Sequence, residues 1–172
     1  LHGTPPDQFA RAPLASDGCL VLANPDLERV LRTVEPRSTP VVIARELHWV
    51  APHSASVSAE RQSFDVVLNA WRSAKTAGDM QRLLNFYAPD FQGHRNKSLD
   101  EWTKVLQAET RALKGRELHL KDKSYLRWTD ATDTMVVTFG EVAAGARTGA
   151  TKRQYWARRG GHWQIFFEGV IG

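Results

Sequence analysis

The chain has 172 residues, 42% of them hydrophobic and 24% charged, which is globular composition and excludes a largely disordered protein. Its net charge of +4 comes from residues 63–172, with 17 basic against 12 acidic side chains, while residues 1–62 carry 6 against 7. One cysteine excludes an internal disulfide and any zinc site needing several cysteines of this chain, and no run approaches the roughly 18 apolar residues of a membrane span.

The chain opens Leu1-His2-Gly3-Thr4, with neither an initiator Met nor a signal peptide, so a longer protein is expected, with its targeting signal upstream of Leu1. Asn24-Pro25 predicts a helix start, a capping side chain followed by proline at the first helical position. Leu27, Val30, Leu31 and Val34 then recur at helical spacing. Val41-Val42-Ile43-Ala44, followed by Leu47, Trp49 and Val50, predicts a strand. Residues 51–57 are small and polar and read as a linker, which places a domain boundary after residue 50 and leaves 51–62 as linker and helix start.

Residues 58–76 carry Phe64, Val67, Leu68 and Trp71 at near-helical spacing, and Gly78-Asp79 breaks the pattern. A short helix follows from Met80 to Tyr87, and Pro89-Asp90-Phe91 reads as a turn. Ser98-Leu99-Asp100-Glu101 is a capping box that opens a helix ending at Gly115. The period then changes to two over 117–128, 133–144, 149–159 and 162–171. Thr129-Asp130 and Gly160-Gly161 mark hairpin turns, and strict alternation in the last run puts Trp163, Ile165 and Phe167 on one face and Gln164, Phe166 and Glu168 on the other. Three helices followed by an antiparallel meander of four strands make an α+β layout, with helices on one face of a curved sheet.

The chemistry-bearing segment is His2-Gly3-Thr4, then Ser16-Asp17-Gly18-Cys19, then Asn24. Cysteine attacks carbonyls as the thiolate, and a nearby imidazole can take its proton. Backbone N–H groups around a Gly-Cys turn can receive an oxyanion. On spacing alone a small buried cysteine and an unrelated histidine are the commoner reading.

This segment resembles the C-terminal half of the YkuD-type L,D-transpeptidase catalytic domain, in which a histidine strand ending His-Gly-Thr is followed by a loop, a Gly-Cys turn, an apolar strand, an Asn and a helix. The resemblance covers residues 1–50, with Cys19 standing 17 positions after His2. It implies that Cys19 is the nucleophile, His2 its general base, and the amides of Gly18 and Cys19 the oxyanion donors. Ser16 and Asn24 support the loop, and Asn24 and Asp17 border the substrate. The implied substrates are peptidoglycan stem peptides containing diaminopimelate, with the acyl group passed to an amine or to water in the periplasm of a Gram-negative bacterium. No cofactor is implied. Two positions depart from the family: Asp17 stands where it has histidine before Gly-Cys, and Leu20-Val21-Leu22 lacks its arginine. Both leave hydrolysis open beside transpeptidation. Ser-Asp-Gly-Cys is similar to the subgroup of cell-shape-determining L,D-carboxypeptidases that carries an extra C-terminal domain.

Residues 63–172 resemble the nuclear-transport-factor-2-like (SnoaL-like) cone. The resemblance rests on Ala70-Trp71, Asp79 with Leu83-Leu84, Phe86 to Phe91, Ser98 to Trp102, and Gly161 to Ile165 with Glu168. Tyr87, Trp102, Tyr155 and Glu168 are candidates for an accessory pocket in the cone, with ordinary core packing as the competing reading. A homodimer through the cone's sheet is the further partner implied; nucleic acid is not. His94, His119 and His162 read as surface residues, and His48, His53 and His94 lack metal-ligand spacing. Two rivals stand beside the peptidoglycan enzyme: a non-catalytic binding or assembly module, and a small-molecule isomerase or hydrolase built in the cone.

Overall fold

The computed structural model describes residues 1–9, 12, 18–34, 39, 41–43, 46, 51, 54–129 and 132–171. They divide into two units, Leu1–Val42 and Ile43–Gly172.

In the first unit the described residues form helix α1 (Asn24–Thr33) and an isolated parallel bridge between His2 and Val21. Asn24 does not cap α1: Ala23 occupies the cap position, and no side chain caps the helix. The Asn24 amide is engaged elsewhere, accepting from Thr4 N at 2.9 Å and donating to Thr4 O at 3.1 Å. Leu31 does not share a buried face with Leu27, being 55% exposed. The strand expected from Val41 is not formed at its start, where Val41, Val42 and Ile43 are irregular and exposed. An apolar run becomes a strand only where a neighbour takes its backbone hydrogen bonds. Leu47, Trp49 and Val50 lie outside the described residues. No mixed β/α transpeptidase layer is present among the described residues of this unit.

The second unit runs α2 (Ala55–Ala77), α3 (Met80–Leu84), β1 (Tyr87–Gly93), α4 (Leu99–Leu113), β2 (Leu118–Trp128), β3 (Thr134–Ala143), β4 (Ala150–Arg159) and β5 (His162–Val170). Gly78 ends α2 at φ 73°, a left-handed cap that glycine adopts without Cβ strain. The Ser98 capping box forms, with Ser98 accepting from Glu101 N and Glu101 accepting from Ser98 N. The sheet order is β1-β5-β4-β3-β2. It has five strands where four were expected. The fifth is β1, in the segment read as a turn, and it pairs parallel to β5. Its strand character is faint in sequence because its register is broken: five steps from Tyr87 to Gln92 oppose two from Ile165 to Phe167.

The last strand also departs from strict alternation. Trp156 pairs with Ile165 but Tyr155 with Phe167, so β5 carries one extra residue. Such a bulge places neighbouring side chains on one face. Ile165 and Glu168 therefore both turn inward, at 0% exposure each, and Phe166 and Phe167 together line a hollow on the other face.

The core lies between the helices and the sheet. Trp71 and Trp156 are fully buried, and the Phe64 ring meets Tyr125, Trp156 and Trp163 edge-on with centroids 5.4–6.2 Å apart. Edge-on geometry sets ring hydrogens against the neighbouring π face, which adds to the burial of area. No helix among the described residues is long and apolar enough to cross a membrane.

Candidate functional site

The His2–Val21 bridge fixes the geometry of the first unit. His2 N donates to Leu20 O and Leu22 N donates to His2 O, both at 3.1 Å. Cys19 adjoins Leu20, whose carbonyl accepts from His2 N, so the backbone that carries the thiol runs beside the backbone that carries the imidazole. The His2 ring places Nδ1 2.8 Å from Gly3 O. A carbonyl only accepts, so Nδ1 carries the hydrogen and Nε2 is left as the basic nitrogen. The Cys19 thiol is exposed, and Gly18 before it has φ 88°, a left-handed turn that only glycine makes without strain. Asn24, with both polar amide atoms on Thr4, anchors the strand that carries His2. Ser16 and Asp17 lie outside the described residues.

In the second unit the four candidate residues separate. Tyr87, Trp102 and Glu168 are buried between helices and sheet, at 4%, 2% and 0% exposure. Trp102 packs on Phe91, and its Nε1 has no hydrogen-bond partner among the described residues. Tyr155 lies on the opposite face of the sheet, because it neighbours the inward-facing Gln154 and Trp156.

Around Tyr87 and Glu168 sits a charged cluster that the sequence reading did not include. Lys75 and Lys152, at 0% and 1% exposure, each donate to Glu109 Oε2 at 2.6 Å. Lys75 also donates to both Glu141 oxygens at 2.8 Å, and Lys152 to Glu168 Oε1 at 3.3 Å. Glu168 Oε2 accepts from Tyr87 Oη at 2.6 Å and Gln154 Nε2 at 3.0 Å. Trp156 Nε1 donates to Gln154 Oε1, and Trp71 Nε1 to Tyr87 Oη. Burial pushes the Lys152 ammonium down, but the charges of Glu168, Glu141 and Glu109 outweigh it and the group is held above its ordinary value. For Glu109 burial pushes upward, and the two lysines outweigh it and hold the carboxyl below its ordinary value. The Tyr87 phenol is raised well above its ordinary value by burial and by the Glu168 charge, so it stays a donor.

This composition is acid–base, yet it is arranged for mutual satisfaction. Glu168 takes hydrogen bonds from three side chains and is sealed from solvent, so it is not poised as a general base. A signal for the cluster was in the sequence: Glu109 falls on the helix face of Trp102, Leu106 and Leu113, and Lys152 and Gln154 alternate onto the face of Trp156. His94, His119 and His162 are all exposed, and no group of three or more His, Cys, Asp or Glu among the described residues could hold a metal.

The family model of the Cds6 C-terminal NTF2-like domain matches residues 63–169, which span α2 from its middle through β5. The chain belongs to this NTF2-like family. Its architecture is similar to Bd1075 of Bdellovibrio bacteriovorus, 18% identical with TM-score 0.68 over 98% of this chain and 59% of that one. It is also similar to the helical cell shape determining protein Pgp2 of Campylobacter jejuni, 16% identical with TM-score 0.62 over 96% of this chain and 58% of that one. An NTF2-like protein of unknown function from Pseudomonas putida shares the fold of the second unit at 15% identity and TM-score 0.51, over 66% of this chain and 86% of that one. The chain thus spans less than two thirds of the length of Bd1075 and of Pgp2. No curated protein matches the sequence.

Proposed function

We propose that the first unit carries the Cys19–His2 pair of a peptidoglycan-modifying cysteine enzyme, an L,D-transpeptidase or L,D-carboxypeptidase acting on diaminopimelate-containing stem peptides, and that the NTF2-like domain serves it in binding or pairing. The observation that supports this is the backbone pairing of His2 with Leu20-Val21-Leu22, which brings the residue bearing an imidazole with a basic Nε2 beside the segment that carries an exposed thiol. Similarity of extent to the cell-shape protein Pgp2, over 96% of this chain, supports it further.

On this reading Nε2 of His2 removes the Cys19 proton and the thiolate attacks the carbonyl carbon of the L,D peptide bond. The oxyanion points at the Gly18 and Cys19 amides. The C–N bond breaks, the leaving amine takes the proton from His2, and a thioester remains on Cys19. An amine or a water, deprotonated by His2, then releases the acyl group. Such chemistry belongs in the periplasm, where the wall is built.

The test is the rate of Cys19 alkylation at neutral pH in the full-length protein, read with its action on defined muropeptides by mass spectrometry. His2→Ala is expected to slow alkylation and abolish turnover. An unchanged alkylation rate in His2→Ala refutes the pair. The family model leaves residues 1–62 unmatched, which favours a second reading, a non-catalytic NTF2-like binding module. That reading predicts no turnover by wild type.

A further inference from the structure

A second site lies on the sheet face opposite the charged cluster. Asp90 and Gln92 of β1, Tyr155 of β4, and Phe166 and Phe167 of β5 line a hollow of about 350 Å³. That volume is at the lower end of small-molecule pockets, roughly 300–1,000 Å³. The β5 bulge makes it, since only the extra residue sets two consecutive phenylalanines on one face. Tyr155 meets Phe166 at 66° and Phe167 at 88°, with centroids 5.9 and 5.4 Å apart, so the three rings form walls at steep angles instead of one stacked layer.

The polar side is electrically balanced. Arg159 binds Asp90 through two parallel hydrogen bonds of 2.6 and 2.9 Å. Those bonds hold the Asp90 carboxyl below its ordinary value, so the pair is a carboxylate with a guanidinium and no net charge. An anionic ligand would compete with Asp90 for Arg159, and a cation would compete with Arg159 for Asp90. A purely apolar ligand would strip water from Asp90 and Gln92 without replacing its hydrogen bonds. An added peptide strand would have to run along β1, the sheet edge, where Pro89 lacks an N–H.

We infer that this hollow is a binding site for a neutral pyranose sugar, its C–H face against the rings of Tyr155, Phe166 and Phe167 and its hydroxyls against Asp90 and Gln92. A pyranose has the two kinds of surface the hollow offers: an apolar face of ring hydrogens and a rim of hydroxyls that both donate and accept. The site shares no residue with the Cys19–His2 pair, so the inference does not depend on the catalytic reading.

The experiment titrates the whole chain, followed by NMR, with the β-1,4-linked tetramer of N-acetylglucosamine and separately with cellotetraose, at millimolar concentrations. Saturable shifts with either oligosaccharide are expected, and the first binding alone identifies an acetamido sugar as the source. Tyr155→Ala is expected to weaken binding about tenfold, and Gln92→Ala to weaken it while leaving the unfolding midpoint unchanged. Trp128→Ala, removing an exposed aromatic on the far edge strand, is expected to leave binding intact. No saturable shift with either probe overturns the inference, as does binding that survives both Tyr155→Ala and Gln92→Ala. Self-association through this face, seen as a sedimentation coefficient that rises with concentration in wild type and not in Tyr155→Ala, also overturns it.

Discussion

The Tyr87 hydroxyl donates to Glu168 Oε2 at 2.6 Å, closing a contact between residues 81 positions apart and tying β1 to β5 by their side chains. It matters because the backbone ladder between these two strands is broken between Tyr87 and Gln92. Where the ladder fails, a charge-assisted hydrogen bond in a dry interior holds the register.

Tyr87→Phe removes that donor and also the acceptor of Trp71 Nε1, leaving two buried polar groups short of partners. The expected cost is about 1–3 kcal/mol. Urea unfolding should show a lower midpoint with an unchanged slope. A change below about 0.5 kcal/mol, the range of ordinary surface substitutions, would mean the contact is not made in solution.

Lys152 is the hub of the cluster, within 4 Å of Glu109, Glu141 and Glu168. Lys152→Met leaves Glu168 buried beside two other carboxylates, with an expected loss of about 3–5 kcal/mol. Adding Glu168→Gln should return part of it, because the uncompensated charge is then gone. A double variant as unstable as the sum of the two singles would show that the groups act independently.

Acid sensitivity follows from Glu109. Its folded value lies below the unfolded one, so its contribution is complete above the unfolded value of about 4.3 and disappears as pH falls through the folded value. The urea midpoint of wild type should therefore drop as pH falls through and below about 4, and Glu109→Gln should flatten that slope. Lys152 has the opposite sign. Its folded value is raised, so its contribution holds below about 10.4 and is lost only at higher pH.

The helices α2 and α4 and the strands β2 to β5 were legible because helical or alternating spacing runs through most of each, with punctuation from Ser98, Gly78 and Gly160-Gly161. The fifth strand was not, because β1 and β5 match in pairing only at Tyr87, Gln92 and Gly93, and Pro89-Asp90 carries turn chemistry. Phe167 was assigned the wrong face for a related reason: a bulge changes the parity of every residue beyond it, and nothing in Ile-Phe-Phe-Glu announces one. At the candidate site, Asn24 has the right residue type for a cap, and the choice between capping α1 and pinning Thr4 is made by a contact 20 positions away. Lys75 and Lys152 were not singled out, because burial of a lysine depends on carboxylates from other elements.

Gly93 is the last test of how closely β1 and α4 fit. A Cβ there would sit 2.6 Å from Trp102 Cε3 and 3.0 Å from Cδ2, inside contact distance of a rigid ring that is 2% exposed. The ring cannot swing aside, because Phe91 packs on it with centroids 5.9 Å apart. Gly93→Ala should cost about 1–3 kcal/mol by overpacking, despite a small gain from a stiffer unfolded chain. Trp102→Phe in the same background should recover part of that loss by shrinking the ring and removing the buried indole N–H that has no hydrogen-bond partner. Thermal unfolding of wild type and the two variants checks both, and a Gly93→Ala protein as stable as wild type would mean that α4 packs farther from β1 than the structure places it.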